Sequence, residues 1–116
     1  LTFATATAIK PEIVIIDDEE LGIHRLVIDC EDQVLVLEQL IMEIGKADAA
    51  VYRHILQINR ELVFGAFVLN EEGNRLIYRN TLALENLDLN ELESTINALS
   101  LGLAENGEEL LSFINQ

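Results

Sequence analysis

The residues of this sequence that could do chemistry are few and scattered. The two imidazoles are His24 and His54, and the single thiol is Cys30. Together they could supply at most three soft metal ligands, but the CxxC or HxxxH spacing of such sites is absent. A Cys30 nucleophile would need an adjacent histidine, and no orienting motif accompanies it. We therefore predict a surface position for His24, solvent or a partner beside His54, an ordinary thiol near a turn for Cys30, and no catalytic residue.

Two acidic clusters, DDEE at 17–20 and DCED at 29–32, could bind a hard cation through carboxylate oxygens. Neither has the spaced acidic positions and the central glycine of a calcium loop, and polar residues dominate turns in any case. The sequence also contains no P-loop, GxGxxG, GxSxG or HExxH motif. We interpret both clusters as solvated turns, and we expect no metal, no cofactor and no enzymatic activity.

The charge balance narrows the class of partner. The 116 residues hold 21 acidic and 7 basic side chains, for a formal net charge of −14, and half of the chain is hydrophobic. Such a surface repels nucleic-acid phosphates and anionic membranes, and it attracts basic or amphipathic polypeptides. The apolar runs are too short for a transmembrane helix. With one cysteine and no visible signal peptide, we expect a cytoplasmic protein.

The elements are organised around residues 48–81, which read as a helix that runs directly into a β-hairpin. Val51, Ile55, Ile58 and Leu62 recur at helical spacing, and Asp48 can cap the start of the helix. Two β-rich runs, 63–69 and 75–79, then flank a turn at 70–74 that supplies a glycine. The pattern predicts a helix and two antiparallel strands with almost no linker.

Three segments before this centre, 12–16, 23–28 and 34–44, are β-rich and separated by short turns, which is typical of an antiparallel meander. Residues 1–11 are weakly patterned, and Pro11 suits the start or the edge of a strand.

The chain after the hairpin is predicted to be helical. Asp88 and Glu91 form a capping-box pattern, and leucines and Ile96 follow at helical spacing. Gly102 and Gly107 weaken the segment, so we expect a kink or a break there. The sequence thus predicts a single α+β domain over 1–116. Its antiparallel sheet has about five strands with helices packed on one face, in the order β-β-β-α-β-β-α.

Residues 47–100 contain four motifs: LQINREL at 56–62, FGAF at 64–67, EEG at 71–73, and NLD at 86–88 before an amphipathic helix. With these motifs the stretch resembles the type III secretion chaperone-like fold, specifically the CesT/Tir chaperone and YbjN-type sensory-regulator group, and the chain looks similar to cyanobacterial YbjN-type proteins. This resemblance implies a helix before the first strand. The stretch before Pro11 is too short and too β-rich for that helix, so we expect the helix to lie upstream or to be replaced.

The third predicted strand is apolar on both faces, at 34–37 and 40–42, because successive residues of a strand point opposite ways. One face covers the helices, and the other requires a cover, which could be a second subunit, a client polypeptide or the N-terminal segment. We expect a second subunit or a client polypeptide to cover this face. The candidate contact residues are Val36, Leu40, Met42, Tyr52, Ile55, Phe64, Phe67 and Tyr78.

The resemblance implies a function as well as a fold. Secretion chaperones of this group are small, acidic dimers that hold an extended client segment against apolar patches. The expected function is therefore a non-enzymatic protein-binding module, present as a homodimer, with a protein or peptide partner and with neither nucleic acid nor membrane as a target. The alternative is a YbjN-type regulatory domain that acts through a folded protein partner.

Overall fold

The computed structural model describes residues 5–10, 12–45 and 47–114, which form one six-stranded sheet and two helices. Pro11, expected to start a strand or to mark an edge, lies outside the described residues. The elements in chain order are β1 (Thr5–Lys10), β2 (Ile13–Asp18), β3 (Ile23–Glu31), β4 (Val34–Glu43), α1 (Ala49–Asn59), β5 (Ala66–Leu69), β6 (Arg75–Ala83) and α2 (Leu89–Ile114).

The strands lie in the order β1-β2-β3-β4-β6-β5, and every neighbouring pair is antiparallel. Strands β1, β2, β3 and β4 follow one another as an antiparallel meander. Helix α1 then carries the chain across the sheet, so that the β5–β6 hairpin returns with β6 against β4. As a result, β1 and β5 form the two edges of the described sheet.

The predicted α+β fold and the predicted order of elements are confirmed, and the structure adds one strand. Residues 5–10, which the sequence pattern leaves unassigned, pair with β2 as edge strand β1. Their sequence, TATAIK, alternates threonine with alanine and shows little apolar contrast between the two faces. An edge strand of this kind is held by main-chain pairing with its neighbour, which leaves a weak signal in the sequence.

The hydrophobic core lies between one face of the sheet and the two helices. We call this face the inner face and the opposite one the outer face. Fully burying one large apolar side chain contributes about 1.5–3 kcal/mol. The strands and helices contribute the following buried side chains to one continuous cluster: Ile16, Ile23, Leu26, Ile28, Leu35, Leu37, Phe67, Leu76 and Tyr78 from the sheet, and Val51, Ile55, Ile58, Ile96, Leu99 and Leu110 from the helices.

Both helices begin where the sequence predicts. The Asp48 side chain accepts a hydrogen bond from the Val51 main-chain N–H at 3.1 Å, and Asp88 does the same for Glu91 at 2.7 Å. The expected break in the final helix is wrong, because α2 runs without interruption over 26 residues. Packing explains the tolerated glycine at position 102, since a Cβ there would lie 3.3 Å from the Leu62 side chain. Neither helix within the described residues combines the length and the apolar character needed to cross a bilayer.

A β-bulge in β4 changes which side chains share a face. Leu40 is opposite Ile77 in β6, but Met42 is opposite Leu76, so Ile41 is the extra residue. Because one inserted residue exchanges the two faces beyond it, Met42 turns to the inner face while Leu40 stays on the outer face. Met42 accordingly packs against the core cluster.

Strand β5 is shorter than predicted, because it begins at Ala66 instead of residue 63. Gly65 has a φ of +70°, and a Cβ at this position would collide with the Tyr78 side chain. The Tyr78 hydroxyl donates a hydrogen bond of 2.7 Å to the Phe64 carbonyl. This close approach of Gly65 to Tyr78 fixes the loop before β5 to the sheet.

Candidate functional site

The outer face of the sheet carries a groove across β3, β4 and β6, with a volume of about 800 Å³. We call it the outer-face groove. No described element packs over it. It is lined by outward-facing strand residues and by the end of the β5–β6 hairpin: His24, Arg25, Val27, Asp29, Glu31, Val36, Glu38, Leu40, Asn70, Glu72, Arg75, Ile77 and Arg79.

The floor of the outer-face groove is aliphatic. Val27, Val36, Leu40 and Ile77 supply it, and Leu40 remains 48% exposed. Val36 is only 6% exposed, although it lies outside the continuous core cluster, because its neighbours on the same face shield it. An apolar strip of this kind in the middle of a sheet face is the surface from which a partner gains most on excluding water.

Charges around the groove are nearly balanced, unlike those of the chain as a whole. Three of the seven basic side chains line it, against four of the twenty-one acidic ones. Arg79 pairs with Glu38 at 3.7 Å, and Arg75 pairs with Glu43 at 3.5 Å. These pairs are exposed, so they contribute little to stability. They do make the outer-face groove a nearly neutral surface on a strongly acidic protein.

A second apolar groove, of about 390 Å³, separates α1 from edge strand β5. We call it the α1–β5 groove. Leu56 is 69% exposed there and Leu69 is 42% exposed. Helix α1 contains no acidic residue; Arg53 on it is exposed, and so is Arg60, which follows its last residue. The groove is lined by Tyr52, Ile55, Leu56, Asn59, Phe67, Val68, Leu69 and Leu76.

The structure divides the predicted contact residues among three places. Val36 and Leu40 lie in the outer-face groove, and Tyr52, Ile55 and Phe67 line the α1–β5 groove. These five form the surfaces that stay candidates for partner binding.

The other three predicted contact residues lie outside both grooves. Met42 packs against the core because of the bulge, and Tyr78 is 2% exposed, so both shape the fold beneath the surface. Phe64 is 45% exposed in the loop before β5.

The sequence pattern did not single out several groove residues. Val27 and Ile77 on the outer face become neighbours of Val36 and Leu40 only through the strand register. The sequence pattern of 23–28 and 75–79 indicates strands that contain Val27 and Ile77. Which face of the sheet these two side chains occupy depends on which strands are neighbours. Leu56 was visible as a leucine off the apolar stripe of the helix.

Burial raises the pKa of Tyr78 to about 12. Its ring packs edge-to-face with Phe67, with ring centres 6.0 Å apart. The inner-face environment favours the neutral phenol, and its hydroxyl proton is held by the Phe64 carbonyl. Tyr78, the residue with the raised pKa, therefore packs in the core and does not line either groove.

The potentially reactive side chains are dispersed. The His24 side chain is 83% exposed, which confirms its predicted surface position. His54, predicted to lie beside solvent or a partner, is half-buried against α2, where its Nε2 lies 2.9 Å from a Glu109 carboxylate oxygen. Cys30 is a free, exposed thiol near the end of β3. Within the described residues, no group of three or more His, Cys, Asp or Glu side chains is placed to hold a metal ion.

The order of strands and helices places this protein in the class of secretion chaperone-like α+β folds, as the sequence predicts. The chain is similar in fold to a chain in the heterodimeric complex ExoU–SpcU from the type III secretion system of Pseudomonas aeruginosa, with a TM-score of 0.58 and 13% identity. That match covers 90% of this chain and 80% of the other. A second similar chain, in the ExsC–ExsE complex, has a TM-score of 0.52 and 14% identity, with 88% and 75% covered. No curated protein matches the sequence.

The family model CesT_Tir_1 matches residues 3–116, so the chain belongs to the CesT_Tir_1 family. This confirms the resemblance to the CesT/Tir group drawn from residues 47–100 and extends it over nearly the whole length. At identities of 13% and 14%, the two solved structures show the shared fold alone.

Proposed function

We propose that this protein is a non-enzymatic module that binds an extended segment of another polypeptide in the outer-face groove. The observation that carries the proposal is the aliphatic floor of Val36, Leu40 and Ile77 in this groove. The charged side chains around that floor nearly balance, on a chain of net charge −14. An uncovered apolar strip of this kind gains free energy when a partner excludes water from it. The dispersed histidines and thiol support binding over catalysis.

The comparisons support a polypeptide as the partner. The two similar structures are complexes, and one is described as a heterodimeric complex from a type III secretion system. By this analogy, the partner is a second protein, and the apolar strip along the sheet fits an extended segment of it. Recovery of a folded partner would instead favour the regulatory alternative, in which the module contacts a folded protein.

The partner is identified by affinity capture from the native host, with the full-length protein as bait, and the groove is then tested with the purified partner. We expect Leu40→Glu to raise the dissociation constant at least tenfold, because it places a charge on the apolar floor. The matched control is Leu101→Glu on α2, since Leu101 is similarly exposed, at 59%, and lies outside both grooves. Equal affinities of wild type and Leu40→Glu would contradict the assignment of the groove.

We also propose that the protein forms a homodimer through the α1–β5 groove. Two copies of an acidic chain repel each other, and this repulsion is smallest where the local surface lacks carboxylates. Helix α1 meets that condition, and exposed Leu56 and Leu69 offer apolar area beside it. Added salt should strengthen the dimer, since screening weakens the remaining repulsion.

Sedimentation equilibrium tests the dimer separately from partner binding. We expect a dimer for wild type and Leu101→Glu, and a monomer for Leu56→Glu. A wild type that stays monomeric at all concentrations would refute the dimer and leave the outer-face proposal standing. We place the protein in the cytoplasm, where its single cysteine stays reduced, and subcellular fractionation of the host checks this location.

A further inference from the structure

The side chain of Asn59, the last residue of α1, forms two hydrogen bonds with the main chain of edge strand β5. Asn59 Oδ1 accepts a hydrogen bond from the Phe67 N–H at 2.7 Å, and Asn59 Nδ2 donates one to the Phe67 carbonyl at 3.0 Å. Only one orientation of the amide satisfies both bonds. A single side chain thus pairs with both main-chain groups of Phe67, as a residue of a neighbouring strand would.

The contact lies on the open side of β5. The Asn70 N–H donates to the Arg75 carbonyl at 3.2 Å, so the main chain at Asn70 points toward β6. Main-chain groups alternate along an antiparallel strand, and those of Phe67 and Leu69 therefore point away from β6. The Asn59 amide occupies the space in which a further strand would pair.

An open edge at this place would be a liability. The row of free N–H and C=O groups on an edge strand is a template for pairing with another chain. Here the edge adjoins the apolar α1–β5 groove and exposed Leu69, which would add hydrophobic contact to main-chain pairing. Phe67 is in the interior of the four-residue strand, so occupation of its main chain removes the pairing position that an added strand needs most.

We propose that Asn59 closes the β5 edge of the sheet. Its amide takes the place of an added strand, so neither a second copy nor an extended segment of a partner joins the sheet on this side. The α1–β5 groove accepts side chains and not a strand. This inference concerns the edge itself, and it holds whether or not the outer-face groove binds a partner.

Amide hydrogen exchange measured by NMR tests the contact directly, at a concentration at which sedimentation shows a monomer. In the wild type, the Phe67 amide should exchange about tenfold more slowly than the Leu69 amide, which shares its orientation but lacks the Asn59 bond. Asn59→Ala should remove that difference, and Gln57→Ala, an exposed neighbour on the same helix, should preserve it. Equal exchange of Phe67 and Leu69 in the wild type would overturn the proposal, even if Asn59→Ala failed to fold.

Self-association tests the consequence. Asn59→Ala should form species heavier than those of the wild type at equal concentration, and Gln57→Ala should not. If Asn59→Ala freed the Phe67 amide and yet sedimented like the wild type, the contact would be a local support only, and the proposed closure of the edge would be wrong.

Discussion

Alkaline pH should destabilise the fold through Tyr78. The phenol ionises near pH 10 in the unfolded chain, whereas burial raises the pKa of Tyr78 to about 12 in the folded protein. The unfolded state therefore releases its proton first. The contribution of the neutral phenol to stability is complete below pH 10 and is lost as the pH rises toward 12. For a shift of this size, about 1.4 kcal/mol of the free energy of unfolding is lost by pH 11.

The matched variant is Tyr78→Phe, which keeps the packing against Phe67 but cannot ionise. It loses the hydrogen bond to the Phe64 carbonyl, which costs about 1 kcal/mol at neutral pH. Urea unfolding, followed by circular dichroism at pH 8 and pH 11, should thus show the wild type as the more stable protein at pH 8. At pH 11 the difference should vanish or reverse. Parallel losses of stability in the two proteins would refute the assignment of a buried, neutral phenol.

Two further predictions concern the ends of elements. Gly65→Ala should cost at least about 2 kcal/mol, because a left-handed φ is combined with a collision with Tyr78, whereas Gly73→Ala, at a similar φ of +76° in open space, should cost about 1 kcal/mol. If urea unfolding showed equal losses of stability for the two variants, the Tyr78 side chain would move aside at little cost in free energy. Asp48→Ala should cost about 1 kcal/mol through the lost bond to the Val51 N–H, and Asp48→Ser should restore most of it. Unchanged stability of Asp48→Ala would show that water replaces the cap.

Local rules were enough to predict much of the fold. The spacing of Val51, Ile55 and Ile58 identified the buried stripe of α1, and all three are buried in the structure. Asp48 and Asp88 marked both helix starts correctly, because a capping bond joins residues three apart in sequence. The apolar character of both faces of β4 led to the outer face as a candidate surface, although nothing local showed what covers it.

The errors arose where a distant residue decides the local structure. The bulge at Ile41 depends on the register between β4 and β6, and it moved Met42 from the predicted contact surface to the core. Helix α2 continues through Gly102 because that position packs on Leu62, a contact that the propensity of glycine does not reveal. Nor could the amide of Asn59 be assigned to the β5 edge before the path of α1 was known.

The most direct test of the central claim is site-specific photocrosslinking of the captured partner to the full-length protein. A photoreactive phenylalanine derivative replaces Leu40 in one variant and Leu101 in another, because both side chains are exposed and only the first lies in the outer-face groove. We predict that the partner crosslinks from position 40 and not from position 101. Crosslinking from position 101 alone would contradict the proposal that the outer face of the sheet binds the partner.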